Sequence, residues 1–587
     1  MLTDLRNYAI RQLGAEPGFA AKTVAWALSF SEDGRYLGTV SLKTTDDRAD
    51  RGRAFRKCPE FSFSEMLAGG TPKTHPLRDT AARLVLLEAA DDDENARQRF
   101  EFHISMLRDA AAHLPVLGRL ADALEDPAVL EQIRADLTEL KVKPAEAITF
   151  RIADQFPLDA EAVHQWWRQY RLTIMAPAEG ERMLCLLSGQ MTVPAPTHDK
   201  IRGLTSVGGL ATGDVVVGFD KDAFRSYALE QSANAACSVE AAAEYCAALN
   251  DLIASPDRSH RMAGALTVHW YSGQVTTEDD AMNWLHEGAS ERDEIGAYRK
   301  SRELLEAIEA GRAAHLLDNR FYILTISGNS GRVMVRDWME GRFEQLVRSV
   351  CAWFDDLSIV HRDGGMLAPA PKFMAVLGAT VRQLDDLAAP LISRMWRVAV
   401  MNEPLPAAFL AQALLRVRTD IIQDQPPNHA RMGLLKAYHL RKSRSKGGDA
   451  MSQIKPFLNE EHPSPAYQCG RLMAVLAALQ RAALGDVGAG VVQRYYAAAS
   501  STPSLVLGRL SRTAQFHIDK LEGGLSYWYE SKLAEIWGRL GDTVPRTLNL
   551  EQQSLFALGY YQQMADLRTK KSTTDDSDSS QEGDTDA

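Results

Sequence analysis

A glycine-rich stretch, GGLATGD at residues 208–214, has the glycine spacing of a phosphate-binding P-loop. In the motif G-x-x-x-x-G-K-[ST], the lysine contacts the terminal phosphates and the hydroxyl group binds Mg²⁺. Asp214 and Val215 occupy these two positions here, so the loop lacks both the cation and the hydroxyl. We therefore expect no nucleotide hydrolysis at this loop.

Other catalytic signatures are incomplete. HRD at residues 361–363 resembles the start of a kinase catalytic loop, but GGML follows it and no asparagine stands at the required spacing. The scattered cysteines form no C-x-x-C pair, which favours buried thiols over disulfides or a zinc site. We expect a protein that is not an enzyme and holds no metal or cofactor. The alternative is an enzyme whose site is assembled without linear motifs.

Cations beside the glycine loop indicate a different use of phosphate. Lys200 and Arg202 lie just upstream of Gly208 and Gly209. Exposed glycine backbone lets N–H groups approach a phosphate closely, and nearby cations add charge. A long hairpin loop with solvated cations is the alternative on pattern alone.

The stretch RVMVR at residues 332–336 has the alternation of a strand. Arg332 and Arg336 then share one face, which is suited to a nucleic-acid backbone or a base edge. Val333 and Val335 share the other face and are expected to be buried. An ordinary half-buried strand fits the same pattern.

The C-terminal region carries cations on helical faces. In SLVLGRLSRTAQFHIDKL, a helical wheel places a stripe of apolar residues, Leu507, Leu510, Ala514, Ile518 and Leu521, on one side. The cations Arg509, Arg512 and Lys520 lie on the opposite side, and Arg494 precedes them. This surface is a candidate for tracking phosphates. A second basic run, without any acid, extends from Arg431 to Lys446.

The element pattern predicts an α+β fold. SEDG at residues 31–34 and GNSG at 328–331 separate strand-like segments and predict two β-hairpins, and DVVVGFD at 214–220 reads as a further strand. After about residue 365 only helical periodicity remains, which predicts an all-α C-terminal bundle. We expect a mixed N-terminal domain (1–365), a helical connector (366–450), a helical bundle (451–570) and a disordered acidic tail (571–587), with RKSRSKGGDAM (441–451) as a flexible joint.

Bulk properties limit the class of protein. The 587 residues carry a net charge of -11, which excludes a uniformly basic nucleic-acid coat. The N-terminal stretch MLTDLRNYAIRQLG has no apolar signal-peptide core, and no run reaches 18 apolar residues. We expect a soluble, cytoplasmic protein that does not associate with a membrane.

Collinear motifs along most of the chain resemble one known family. The string GFDKDAFRSYALEQSANAACSVEAAAEYCAALNDLI (218–253) is similar to a signature stretch of the large subunit of type I-C CRISPR Cascade, the Csd/Cas-eight-c family. Further similar stretches include VAWALSFSEDGRYLGTVSL, FYILTISGNSGRVMVRDW, ARMGLLKAYHL and RYYAAASSTPSLVLGRLSRTAQFHIDKL. Together the matches extend from about Leu2 to Tyr561.

The resemblance implies a non-catalytic subunit of an RNA-guided surveillance complex. Guide pairing reads most of the target there, while protein reads a short adjacent duplex motif, the PAM. The implied roles are contact with the crRNA 5′ handle, PAM recognition, promotion of the R-loop and recruitment of the helicase-nuclease. The implied partners are crRNA, double-stranded target DNA, the displaced single strand, and the Cascade backbone and crRNA-processing subunits.

Combined with the cations and glycines described above, the resemblance leads us to expect these roles at particular residues of this chain. The PAM-proximal set is Lys200, Arg202, Gly208, Gly209, Arg225, Asn234, Arg332 and Arg336. The displaced-strand set is Arg494, Arg509, Arg512 and Lys520. Arg53, Arg56 and Lys57, in a segment (45–100) that departs from the family pattern, are expected at the crRNA handle. A structural scaffold that touches only crRNA and partner proteins is the alternative.

The resemblance further implies a second product. Members of this family make a separate small subunit from a start codon inside the same gene. Met451 is the expected internal start, because the codons of residues 446–450 can contain a purine-rich ribosome-binding site. Met432 and Met473 are poorer candidates because each lies within a predicted helix.

Overall fold

A computed structural model describes most of the chain in two compact units. The first unit comprises Met1–His260, Leu266–Gln274 and Ile326–Trp338, and the second comprises Arg261–Ala265, Val275–Thr325 and the chain from Met339 onward. The described residues are 1–14, 16–45, 50–62, 65–66, 70, 72–90, 92–174, 182–262, 264–286, 291–447, 454–485 and 490–569.

Sheets form the framework of the first unit. Strands β1 (Phe19–Val24) and β4 (Arg53–Pro59) pair antiparallel. A four-stranded sheet has the order β3-β2-β6-β5, built from β2 (Trp26–Phe30), β3 (Tyr36–Ser41), β5 (Arg78–Thr80) and β6 (Ala147–Ile152). Strands β2 and β3 form the predicted hairpin, in which Trp26 pairs with Ser41, while β2 and β6 run parallel. The hairpin prediction is confirmed.

Helices of the first unit cover this framework. They are α1 (Leu2–Tyr8), α2 (Ala81–Leu84), α3 (Glu94–Ala110), α4 (Val116–Glu125), α5 (Pro127–Glu139), α6 (Glu161–Ile174) and α7 (Val239–Ala254). Helix α3 begins where the Asp93 carboxylate accepts the Ala96 N–H, and α5 begins with a proline, as helix starts favour. Trp167 and Phe150 are completely buried in the core between sheet and helices.

Further strands follow α6. Short strands β7 (Met183–Leu184) and β8 (Met191–Thr192) pair antiparallel. A second four-stranded sheet has the order β12-β11-β10-β9, with β9 (Ser259–Met262), β10 (Ala265–Tyr271), β11 (Arg320–Asn329) and β12 (Arg332–Arg342). Strands β11 and β12 flank the predicted turn, where Ser330 and Gly331 have positive φ. The predicted strand at 214–220 is wrong, because this segment makes only isolated bridges, at Asp214 and Val215.

The second unit is mainly helical. Its helices are α8 (Ala281–His286), α9 (Glu291–Glu309), α10 (Phe343–Leu357), α11 (Phe373–Gly378), α12 (Ala389–Val400), α13 (Ala407–Ile422), α14 (His429–Ser445), α15 (Pro465–Leu484), α16 (Val491–Ala499), α17 (Pro503–Ile518), α18 (Gly524–Leu540) and α19 (Leu550–Arg568). The α+β fold is therefore confirmed. Among the described residues, none of the helices combines the length and apolarity that crossing a membrane requires.

The structure can be compared with the predictions for the cysteines, the flexible joint and the domain borders. All six cysteines are buried and free, as expected for thiols in a reduced protein: Cys58, Cys185, Cys237, Cys246, Cys351 and Cys469. Helix α14 continues to Ser445, so the first residues of the predicted flexible joint are helical. Met451 and the acidic tail at 571–587 lie outside the described residues, and the predicted borders at 365 and 450 stay predictions.

Candidate nucleic-acid interface

The side chain of Asp214 binds the backbone of the glycine loop. Ile201 and Asp214 exchange backbone hydrogen bonds of 2.7 and 2.8 Å across its base. The completely buried Asp214 side chain accepts the Leu210 N–H at 3.2 Å, and the Gly209 N–H donates to the Leu204 carbonyl at 2.8 Å. An anion already occupies the position in which a phosphate-binding loop would hold its ligand. Asp214, which breaks the P-loop motif, is therefore a structural member of the loop.

The paired glycines of the loop pack against strand β11. A Cβ on Gly208 would lie 2.8 Å from the Gly328 carbonyl oxygen, and a Cβ on Gly328 would lie 2.2 Å from the Gly209 Cα. Two backbones approach this closely only where side chains are absent. We therefore revise the expectation for Gly208 and Gly209: their close backbone approach is to β11 and not to a ligand.

The backbone pairing brings two predicted sets of cations together. Ile201 is bridged to Asp214, and the next residue, Val215, is bridged to Arg332 at the start of β12. Lys200 and Arg202, which flank Ile201, thus lie two strand spacings, roughly 10 Å, from Arg332. The sequence contained both sets but no sign that they were neighbours.

Arg225 joins this surface through an aromatic contact. The Arg332 guanidinium lies 5.5 Å from the centre of the Phe224 ring, next to Arg225 in the chain. We call Lys200, Arg202, Arg225, Arg332 and Arg336 the basic edge. The amide of Asn234 donates to the Gln231 carbonyl at 3.0 Å within a local turn, and the predicted DNA contact of this residue stays a prediction.

The cations of the basic edge differ in their partners. Among the described residues, the side chains of Lys200 and Arg202 have no ion pair or hydrogen bond. Arg332 pairs with Asp220 at 2.7 Å, and the pKa of that carboxyl is lowered by a hydrogen bond from its own backbone N–H and then by the bond from the Arg332 guanidinium. Both partners are exposed, and exposed pairs contribute little and are screened by salt. Such a pair leaves the cation free to exchange its carboxylate for a phosphate.

The remaining arginines of the basic edge are also held loosely. Arg225 lies 3.4 Å from Asp222, and both side chains are exposed. The Arg336 Nε donates to the Ser327 hydroxyl at 2.8 Å, a neutral acceptor that leaves the arginine charge uncompensated. The basic edge is therefore a positively charged surface whose counter-charges are absent or solvated.

One feature of the RVMVR prediction is wrong. Val333 is 8% exposed as expected, but Val335 is 45% exposed. Strand β12 is the edge strand of its sheet, and both of its faces are exposed from Met334 to Arg336, before the strand is buried again at Met339. Arg336 is thus presented on an open strand rather than opposite a buried valine.

The predicted crRNA-handle cations on β4 are mostly engaged within the protein. Arg53 pairs with Asp159 at 2.8 Å and lies over the Phe156 ring at 4.2 Å. Lys57 pairs with Glu16 at 2.5 Å, and hydrogen bonds from Arg168 and then from Lys57 lower the pKa of that carboxyl to about 2. Arg56 is exposed and makes no side-chain bond with the described residues. Arg56 therefore has no competing partner within the described part of the chain, and Arg53 holds only an exposed carboxylate.

The second candidate surface lies on helix α17. Leu507, Leu510, Ala514 and Ile518 are buried, which confirms the predicted apolar stripe, although Leu521 beyond the helix is only partly buried. The four predicted cations are exposed and have no ion pair with the described residues: Arg494, Arg509, Arg512 and Lys520.

Sequence reasoning missed two apolar side chains on the same face. Leu505 is 75% exposed and Phe516 is 69% exposed. At 100° per residue they flank Arg509 and Arg512 on one line of the helix. The helical wheel places both apolar residues on the line of these cations, so the sequence contains the signal for an exposed mixed face. We call Leu505, Arg509, Arg512, Phe516 and Lys520 the α17 face.

The basic run of α14 serves the interior of the second unit. Arg441 is 2% exposed and donates to Asp356 at 2.8 Å, and Arg444 binds the same carboxylate at 2.8 Å. Burial lowers the pKa of Lys436 to about 8. Helix α14 makes two more ion pairs, Arg431 with Asp420 and Lys442 with Glu551. The buried cations of this run, Arg431, Lys436 and Arg441, serve the interior and are not available to a nucleic acid.

Comparison with protein families gives a match over nearly the whole chain. The family described as CRISPR-associated protein (Cas_Csd1) matches residues 5–568. No curated protein matches the chain. Within the described residues, no cluster of three or more histidines, cysteines or acids is suited to hold a metal ion.

Proposed function

Since the chain belongs to the CRISPR-associated Cas_Csd1 family, we propose that it is the non-catalytic large subunit of a type I-C Cascade complex. In this role it contacts the crRNA 5′ handle and binds target duplex beside the PAM. It then promotes the R-loop and recruits the helicase-nuclease. Guide pairing supplies most of the sequence specificity in such complexes, so the protein needs phosphate contacts and a few base contacts rather than catalytic groups.

The observation that carries this proposal is the backbone pairing beneath the basic edge. The bridges Ile201–Asp214 and Val215–Arg332 fix cations from two distant segments side by side. A protein with a net charge of -11 attracts polynucleotide only where its cations are gathered and their counter-charges are weak. The basic edge meets both conditions. Arg336, on the exposed stretch of β12, is the arginine best placed for a base edge.

The α17 face supports binding of the displaced strand. Helices α16 and α17 contain no acidic residue, so no carboxylate on either helix repels phosphate. Arg509 and Arg512 lie between the exposed Leu505 and Phe516 along one line, and non-specific single-strand surfaces combine backbone cations with rings that stack bases.

We also propose that a separate small subunit starts at Met451. Met432 lies within α14 and Met473 within α15, and both are almost completely buried. A start at either residue would cut through a packed helix, whereas Met451 follows α14 and precedes α15. The product would contain α15 to α19 with the α17 face.

The sharpest test removes both free cations of the basic edge. In the reconstituted complex, Lys200→Ala with Arg202→Ala should weaken binding of a PAM-containing duplex and lower the salt slope of log K by about 2, roughly one unit per phosphate contact. The control, Lys141→Ala with Lys143→Ala, removes two exposed lysines at the same spacing from the α5–β6 connection. Equal affinity and slope in all three proteins would refute the proposal.

Two rival functions have separate tests. A scaffold that touches only crRNA and protein would leave the PAM-proximal duplex unprotected from nuclease, whereas the proposal expects protection that depends on this subunit. An enzyme without linear motifs would turn over labelled nucleotides or nucleic acids when the isolated protein is incubated with them, and the proposal expects no turnover.

A further inference from the structure

Tyr227 is the most exposed large apolar side chain in the described part of the chain. Its side chain is 97% exposed, while other exposed rings such as Tyr527 reach 74%. A tyrosine ring normally packs its apolar face on a neighbour and leaves only the hydroxyl in water. The ring of Tyr227 has no such neighbour.

The backbone that presents this ring is itself unfavourable. Tyr227 has φ +57°, Ala228 has φ +58° and Gln231 has φ +46°, all in the left-handed region. Non-glycine residues there cost roughly 1 kcal/mol or more each and cluster at ligand-binding sites. Burial of the ring does not offset this cost. Asparagine or glycine at residue 227 would relieve the strain, yet a bulky aromatic residue is present.

The segment around Tyr227 is anchored on both sides. Phe219 and Phe224 pack edge to face, with ring centres 5.4 Å apart, and Arg332 covers Phe224. After the turn, the Ser232 N–H donates to the Pro196 carbonyl at 3.3 Å. The ring therefore projects from a fixed turn rather than from a loose tip.

The segment that leads to this turn carries the cations Lys221 and Arg225, and Arg332 contacts it through Phe224. Lys221 is exposed and makes no side-chain bond with the described residues, while Arg225 and Arg332 hold only exposed carboxylates. An exposed ring beside cations fits a base together with its flanking phosphates, and stacking of a base on an aromatic ring needs no particular sequence. A continuous duplex shields its base faces, so the ring can stack only on a base that has lost its neighbour or its pairing partner.

We propose that Tyr227 stacks on an unpaired base where a duplex opens, with Arg225 and Arg332 holding the adjoining phosphates. The inference rests on the proposed function and adds the structure that this surface recognises, which is a junction between paired and unpaired DNA. The basic edge supplies charge that serves any duplex, and Tyr227 supplies the preference for the junction.

The test uses forked DNA carrying 2-aminopurine at the first unpaired position, and a fully paired duplex of the same sequence. In the reconstituted complex, stacking quenches 2-aminopurine fluorescence. Tyr227→Ala should lose the quenching and weaken fork binding roughly fivefold or more, while binding of the paired duplex stays unchanged. Tyr227→Phe should behave as wild type because it keeps the ring. Tyr227→Asn suits a left-handed backbone, so it should match Tyr227→Ala if the ring alone matters.

Each other outcome is informative. Wild-type quenching in Tyr227→Ala would overturn the stacking role, and so would loss of quenching in Tyr227→Phe. If Tyr227→Ala instead released partner subunits from the complex, the ring would be a protein contact and the proposal would be wrong. If the Lys200 and Arg202 variant weakens duplex binding while Tyr227→Ala does nothing, the stacking role fails and the proposed function stands.

Discussion

The crossing of helices α15 and α19 gives a prediction whose size follows from the structure. A Cβ on Gly559 would lie 2.1 Å from the Tyr467 carbonyl oxygen, and a Cβ on Gly470 would lie 2.0 Å from that of Phe556. Both neighbours are backbone atoms, so no rotamer change relieves the contact. The two helices must separate by about 1 Å, and overpacking of this kind costs roughly 1–3 kcal/mol or more.

Gly559→Ala should therefore destabilise the second unit in spite of its better helix propensity. Alanine gains up to about 1 kcal/mol over glycine inside a helix, which offsets only part of the cost. We expect the thermal midpoint of the full-length protein to fall by about 2 °C or more for each kcal/mol of net loss. Limited proteolysis at rising temperature assigns the loss to the second unit, because α19 should be cleaved before the helices of the first unit.

Gly538→Ala in α18 is the matched control, because a Cβ there meets nothing within 4 Å. This variant should be unchanged or stabilised by up to about 1 kcal/mol. The decisive comparison is that Gly559→Ala lowers the free energy of unfolding whereas Gly538→Ala does not. If Gly559→Ala were as stable as Gly538→Ala, the close crossing would be refuted.

Three further predictions concern binding, pH and the internal product. Arg509→Ala with Arg512→Ala should weaken single-stranded DNA binding and lower the salt slope of log K by roughly 0.7 per lost contact, as fluorescence anisotropy at several salt concentrations would show; an unchanged slope would contradict this. Burial lowers the pKa of His103 to about 4, against about 6.5 when unfolded, so neutral His103 stabilises the fold above about pH 6.5 and this stability is lost as the pH falls toward 4. Urea unfolding at pH 7 and pH 5 should show a smaller difference for His103→Leu than for wild type, and equal differences would count against the argument. Mass spectrometry of the purified complex should find residues 451–587 as a separate chain that Met451→Leu removes, whereas full-length chain alone would argue against the internal start.

Local patterns predicted the elements that local interactions build. The SEDG turn between alternating strands yielded the β2–β3 hairpin, because turn type and strand alternation are encoded within a few residues. The stripe of α17 followed from helical periodicity, and Leu507, Leu510 and Ala514 are buried as predicted. In both cases the information lies within one contiguous segment.

Non-local contacts account for the failures. The run from Arg431 to Arg444 contains no acid, so it appeared free, but Asp356 and Asp420 reach it from other helices. The glycines of GGLATGD suggested a ligand, but Gly328 of β11 approaches them from more than a hundred positions along the chain. A sequence shows which charges and glycines exist, while the fold decides which atoms stand opposite them.

The burial of the carboxylate that pairs with each cation, rather than the number of cations, therefore decides which surface can hold a polynucleotide. Arg441 and Asp356 are each 2% exposed, and removing one partner of such a pair costs roughly 3–5 kcal/mol because an uncompensated charge stays buried. No phosphate contact from outside the protein can compete for that arginine. Arg332 and Asp220 form an equally short pair at 2.7 Å, but both are hydrated, and a phosphate replaces the carboxylate at little cost. By the same criterion Arg53 on β4 is exchangeable as well, because its partner Asp159 is exposed, and the criterion favours the basic edge and the α17 face as the charged surfaces on which a nucleic acid would be held.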